Sequence, residues 1–185
     1  MKKMSTSPGQ KTVFLDRDGT LIEEVNFLHR VEDLKFFDYT DDAVRILKEA
    51  GFLVIVVTNQ SGIGRAIYTE NQMSGIHDAI QRTLTHPLDA FYFCPHLPDA
   101  GCACRKPGLG MIEQAATDFS IDLKRSWMVG DKRLDIELGL NAGFRTVMVR
   151  TGYGSTHEEN LERRPELIAQ TLLDAVRHIV ESDGS

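Results

Sequence analysis

The chain has 185 residues, 42% of them hydrophobic and 26% charged, with a formal net charge of -6. That length suits one α/β core rather than two independent ones, and so modest an acidic balance gives nucleic acid no electrostatic footing. No apolar run reaches the roughly 18 residues that a membrane-spanning helix needs, and the opening residues lack the apolar stretch of a signal peptide, so a cytoplasmic protein is expected, with no membrane partner.

Met1 to Gln10 are small and polar, with Pro8 and Gly9 near their end, and predict a disordered leader before a single domain over residues 11–182. Thr12 to Leu15 reads as a buried strand, Asp42 to Ala50 as a helix closed by Gly51, and Phe52 to Thr58 as a second strand. Thr69, with Gln72 three residues on, has capping-box spacing and predicts a helix to about Leu84; Ala90 to Phe93 makes a third strand beyond the turn at Pro87. A helix from Met111 to Phe119, a strand from Ser126 to Val129, a helix from Leu134 to Asn141 stopped near Gly143 and a fifth strand from Thr146 to Val149 follow. After Pro165 a last helix is predicted, with Leu167, Ile168, Leu172, Ala175, Val176 and Ile179 on one apolar face. The alternation predicts a doubly wound, Rossmann-like α/β fold with a parallel sheet, whose ligands gather outside the carboxyl ends of the strands.

Four short segments follow predicted strands. Asp16-Arg17-Asp18-Gly19-Thr20 follows the first strand, and strand alternation points Asp16 and Asp18 to the same side. A calcium loop would want its glycine at the sixth position, whereas Gly19 is fourth. Thr58-Asn59-Gln60-Ser61-Gly62 follows the second strand and offers a hydroxyl and backbone N–H groups to phosphate oxygens, though alone it could be only a turn. Lys106, in Cys104-Arg105-Lys106-Pro107, is an ammonium suited to a transferring phosphoryl group, or else a surface lysine before a proline. Gly130-Asp131-Lys132-Arg133-Leu134-Asp135 follows the fourth strand, with Asp135 one helical turn behind Asp131; a helix N-cap would explain Asp131 alone.

All three cysteines fall in one eleven-residue stretch: Cys94-Pro95-His96 and then Cys102-Ala103-Cys104. Three thiolates and an imidazole make a closed tetrahedral set for structural zinc. The alternative is a group of unligated thiols, since a Cys102–Cys104 disulfide would be strained at that spacing. Such a zinc-stabilised loop ends at Arg105 and Lys106 and would fix the approach of the lysine.

In order and spacing the four segments resemble the four motifs of the haloacid dehalogenase superfamily, from Lys11 to about Asp135. The resemblance implies a magnesium-dependent phosphatase in which Asp16 attacks phosphorus and Asp18 first protonates the leaving oxygen and then activates water. It also implies magnesium held by Asp16, the backbone carbonyl of Asp18 and Asp131, with Thr58 and Lys106 on the phosphoryl group and Asp135 behind. The short spans between motifs leave no room for a large cap domain. The Cys-x-His and Cys-x-Cys-Arg-Lys-Pro elements resemble the branch that contains heptose bisphosphate and histidinol-phosphate phosphatases.

Within that branch, Asn59 to Arg65 and Val149-Arg150-Thr151-Gly152 resemble the heptose side, since the histidinol enzymes tend to have an acidic residue where Ser61 stands. The implied substrate is a small sugar bisphosphate, D-glycero-D-manno-heptose 1,7-bisphosphate losing its 7-phosphate on the way to nucleotide-activated heptose. Substrate-binding positions carry over to Glu24, Val25, Asn26 and Phe27, to Thr58, Asn59, Gln60 and Ser61, and to Arg105, Lys106 and Lys132. Arg65, Arg105 and Lys132 lie near motif positions and are expected to supply cations for a second dianion, the alternative being that Arg65 and Lys132 are merely solvated.

A phospho-accepting signalling receiver also joins an acidic cluster to a threonine, a lysine and magnesium, but its acidic pair precedes the acceptor strand, and Asp18 would spoil a stored signal. A partner-binding pseudo-enzyme is disfavoured because every catalytic position holds the residue type the chemistry needs. Gly62-Ile63-Gly64 lacks the third glycine of a dinucleotide fingerprint and is not expected to open a helix. His29, His77, His86, His157 and His178 have no ligand-like spacing and read as surface or helix-face residues; Trp127 reads as core. A monomer is expected.

Overall fold

Thr12–Leu15 forms the first strand, β1, and all four of its side chains are buried, as a strand covered on both faces requires. The computed structural model describes residues 9–184. Residues 1–8 of the expected leader lie outside them, whereas Gln10 pairs with Ile121 and exchanges backbone hydrogen bonds with Ser120 and Asp122. Order therefore reaches back before Lys11.

The chain continues through α1 (Thr40–Glu49), β2 (Leu53–Asn59), the single turn α2 (Ser61–Gly64), α3 (Glu70–Thr83), β3 (Ala90–Cys94) and α4 (Gly110–Asp118). Then come β4 (Trp127–Gly130), α5 (Arg133–Asn141), β5 (Arg145–Val149), the short α6 (Gly154–Glu158), β6 (Leu167–Ala169) and α7 (Leu172–Asp183). The capping box at Thr69 and Gln72 is present. Gly62 to Gly64 lie inside a helical turn after all, one too short to show a period in sequence.

The six strands are ordered β3-β2-β1-β4-β5-β6, and every pairing is parallel. The winding reverses at β1, so a crevice opens outside the carboxyl ends of β1 and β4. Side-chain alternation divides the core. Val13, Leu15, Val54, Val56, Trp127 and Val129 pack with α1, α3 and α7 on one face. Phe14, Ile55, Val57 and Met128 pack with α4 and α5 on the other. Trp127 is core as expected, only 2% exposed.

Between β1 and α1, residues 16–39 hold one short 3-10 turn (Val31–Asp33) and two isolated bridges, so no large cap stands there. Among the described residues no helix is long and apolar enough to cross a membrane.

Besides α2, the short α6 has no counterpart in the predicted elements, and the last helix starts later than expected. Leu167 and Ile168 belong to β6, paired with Val147 and Met148 of β5, and the last helix begins only at Leu172. Thr171 and Asp174 form a capping box there. The apolar residues before the cap serve an edge strand, and the helical period holds from Leu172 through Ala175, Val176 and Ile179, all buried.

Thr171→Ala removes the hydroxyl that accepts from the Asp174 N–H at 3.2 Å. It should lower unfolding stability by about 1 kcal/mol, read as a shift of the urea midpoint; an unchanged midpoint would place the start of α7 elsewhere.

Candidate active site

Asp16 follows β1 directly and is 3% exposed. Its N–H bonds to Val129 O across the sheet, which fixes the backbone as it leaves the strand. Its Oδ1 accepts from Arg17 N and from Lys106 Nζ, both at 2.8 Å. Burial works against its charge, but Lys106, Lys132 and those two hydrogen bonds outweigh it and hold the carboxyl below its usual range. Lys106 also donates to Val57 O at 3.0 Å and lies 2.6 Å from Asp135 Oδ1. Burial pushes the ammonium down, but Asp135 and Asp16 push it up further, so it is charged. Thr58 Oγ1, at the end of β2, accepts from Gln60 Nε2 at 2.8 Å.

Asp131 follows β4 and is fully buried. Gly19 and Gly152, both with positive φ, close over it: a Cβ on either would stand within 2.4 Å of Asp131 Oδ2. That oxygen accepts from Tyr153 N at 2.8 Å, while Oδ1 has no hydrogen-bond partner. Burial, reinforced by Asp16, pushes the carboxyl up to about 8. Lys132 Nζ lies 3.7 Å from Asp16 Oδ2, 3.5 Å from Asp131 Oδ1 and 3.4 Å from Asp18 O, so these three oxygens face one common point. Three oxygens, one of them a buried carboxylate atom with no donor, suit a hard divalent cation such as magnesium. Asp135, also fully buried, accepts from Lys132 N through Oδ2 at 2.9 Å and meets Lys106 through Oδ1, so it braces both lysines.

Asp18 is held from the side. Arg17 Nε approaches both its oxygens, at 3.1 and 3.2 Å, and Gln60 Nε2 donates to Oδ2 at 2.9 Å. Gln60 Oε1 accepts from Arg17 Nη2 and from Tyr68 OH, at 3.0 and 2.6 Å. Arg17, Tyr68 and His77 had no role in the sequence reading. His77 is no surface residue: it is buried, stacks on Phe91 and lies 3.2 Å from Arg17 Nη1.

Two clefts meet above these groups, of about 140 and 200 Å³. The smaller is floored by Asp16, Thr58, Lys106 and Asp135 with Arg105 at its edge, and the larger is walled by Glu24 to Leu28, Gln60, Ser61 and Tyr153. Asp18, Asn59 and Lys132 line both. Arg65 lines neither; it is exposed at the end of α2.

Beyond the phosphate-sized cleft, the three thiols are unbonded covalently and lie 3.1 to 3.6 Å apart, with His96 Nδ1 3.5 Å from Cys94 Sγ and 3.2 Å from Cys104 Sγ. Zinc–sulfur bonds of about 2.3 Å would set tetrahedral edges near 3.8 Å, so the four atoms could hold such an ion with small adjustments.

Family models match over most of the chain: polynucleotide kinase 3 phosphatase over residues 11–138, and HAD-hydrolase-like over residues 103–175. The chain is 38% identical to D-glycero-beta-D-manno-heptose-1,7-bisphosphate 7-phosphatase of Haemophilus ducreyi, over 92% of this chain and 99% of that one. The chain belongs to the D-glycero-D-manno-heptose-1,7-bisphosphate 7-phosphatase family. A member from Photorhabdus laumondii named for the alpha anomer is 42% identical over 77% of this chain and 84% of its own. The crystal structure of D,D-heptose 1,7-bisphosphate phosphatase from B. bronchiseptica, complexed with magnesium and phosphate, superposes with a TM-score of 0.87 at 28% identity, covering 94% and 99% of the two chains.

Membership in this haloacid dehalogenase-like family agrees with the doubly wound sheet and with four motifs gathered at its switch point. The raised Asp131 carboxyl has a further consequence. Its charge is opposed in the fold, so its penalty grows as pH rises from the unfolded value near 4 through about 8. In protein stripped of divalent cations, Asp131→Asn should therefore raise stability by about 1–3 kcal/mol at pH 8, with the gain vanishing towards pH 4. Urea titrations at both pH values check this, and a loss of stability at pH 8 would contradict it.

Proposed function

We propose that this chain is a phosphatase that removes the 7-phosphate of D-glycero-D-manno-heptose 1,7-bisphosphate through an aspartyl-phosphate on Asp16. The observation that carries the reading is the ionised, buried Asp16 carboxylate 2.8 Å from the Lys106 ammonium on the floor of a phosphate-sized cleft. A carboxylate oxygen of Asp16 attacks phosphorus as the bond to the sugar oxygen breaks, and Asp18 gives that oxygen its proton. Asp18 then takes a proton from water; the water oxygen bonds to phosphorus, the bond to Asp16 breaks, and phosphate leaves. Thr58 and Lys106 donate to the phosphoryl oxygens, where negative charge collects. Asp16, the Asp18 carbonyl and Asp131 would hold magnesium, which when bound neutralises carboxylate and phosphate charge at the reacting centre.

The larger cleft takes the sugar, with Glu24 to Phe27 on one wall and Asn59 to Ser61 on the other. Lys132 and Arg105 supply cations for the second phosphate. The partner is thus a small sugar bisphosphate, and the enzyme is read as a cytoplasmic monomer. Cys94, His96, Cys102 and Cys104 would hold structural zinc, which when bound would fix the loop that delivers Arg105 and Lys106. Kinship with enzymes named for this substrate supports the reading.

Phosphate release from both anomers of the heptose bisphosphate, beside histidinol phosphate and fructose 1,6-bisphosphate, tests it. Turnover of a heptose anomer with magnesium, lost by about 10⁴-fold or more in Asp16→Asn, is expected. Preference for histidinol phosphate would keep the mechanism and overturn the substrate, and no turnover of any ester would sink both. Elemental analysis should find zinc in the purified protein. Cys102→Ser should lose it and melt lower; a zinc-free native protein of equal stability would refute the structural role.

A further inference from the structure

Arg17 stands between the two motif aspartates and is 1% exposed. A guanidinium has five N–H donors and no acceptor, so burying one demands acceptors on every edge. Nε faces Asp18; Nη2 reaches Asp18 Oδ1 and Gln60 Oε1, each at 3.0 Å; Nη1 lies 3.2 Å from His77 Nε2. Since the guanidinium can only donate, His77 Nε2 is the acceptor, and the ring is neutral with its proton on Nδ1. Burial, aided by the Arg17 charge, lowers the imidazole to about 3 and keeps it so. The ring is held flat against Phe91, with centroids 4.4 Å apart and planes 18° from parallel. Thus α3, packed on the opposite face of β1 from Phe14, reaches the site through a rigid imidazole and a buried cation.

We propose that His77 is a positioning residue: it locks the Arg17 guanidinium, which with Gln60 holds the Asp18 carboxylate where it exchanges protons with the leaving oxygen and the attacking water. The inference rests on reading Asp18 as acid and base. His77 lines neither cleft, so it contributes nothing to substrate contact. Removing its acceptor leaves a buried Nη1 donor without a partner. The guanidinium then turns towards another acceptor and takes Asp18 with it, and a small displacement of a proton-transfer group slows the reaction more than it weakens binding.

The test measures kcat, KM and thermal melting for the native protein, His77→Phe, His77→Gln, Arg17→Lys and Asp16→Asn. The heptose bisphosphate is the substrate, or, if that is not turned over, the best phosphate monoester the native protein hydrolyses. Phe keeps the stack on Phe91 and deletes the acceptor; Gln restores an acceptor oxygen. His77→Phe should lose about tenfold in kcat with KM changed less than about twofold, and His77→Gln should recover most of the loss. A kcat within about twofold of native in His77→Phe, equal losses in both His77 variants, or a rise confined to KM would overturn the proposal. Should His77→Phe fail to fold, Arg17→Lys decides: its single ammonium cannot span Asp18, Gln60 and His77, so the same kcat-selective loss is expected, and an unchanged kcat overturns it. An inactive native protein would instead refute the functional reading itself, whereas an active one with Asp16-dependent turnover leaves only the role of His77 in question.

Discussion

Five carboxylates (Asp16, Asp18, Glu24, Asp131 and Asp135) and three cations share one crevice, most of them buried, and the cost of burying them governs the rest of the structure. A lone buried charge costs several kcal/mol, so each must meet an opposite charge or oriented donors. Lys106 answers Asp16 and Asp135, Arg17 answers Asp18, and Lys132 faces Asp16, Asp131 and Glu24. Asp131 Oδ1 faces Lys132 at 3.5 Å but makes no hydrogen bond, so a divalent cation there would meet an oxygen that no donor occupies.

The doubly wound sheet makes such a cluster possible. Parallel strands end together, so residues just beyond β1, β2 and β4 converge although they lie far apart in the chain. Neighbouring helices then add what the strands lack. The first turn of α5 places Asp135 behind Asp131, and α3 brings His77 to Arg17. Lys106 is the one catalytic candidate that arrives from a long loop. Its backbone is tied to Asn59, and the side chains of Cys94, His96, Cys102 and Cys104 gather in the loop before it.

Cleft shape follows from the same economy. With no large cap among the described residues, one wall of the larger cleft is the stretch from Glu24 to Leu28. Lys132 lines both clefts, 3.1 Å from Glu24 in one and 3.7 Å from Asp16 Oδ2 in the other, so a single cation joins the wall of the larger cleft to the floor of the smaller.

The sequence by itself determined most of the strand–helix order, the three motifs at strand ends with the lysine motif in a loop, and the cysteine and histidine cluster. Those features are local: period-2 and period-3.6 burial and short spacings survive without knowledge of the fold. Three elements escaped it for local reasons as well, because three-residue β6, one-turn α2 and five-residue α6 are too short to show a period. Only the tertiary structure decided that His77 is buried against Arg17, that Tyr68 supports Gln60, and that Arg65 lies outside the clefts. Each of these depends on where α3 and the loop before it dock on the sheet. Contacts between residues sixty positions apart are set by packing, and no spacing along the chain encodes them.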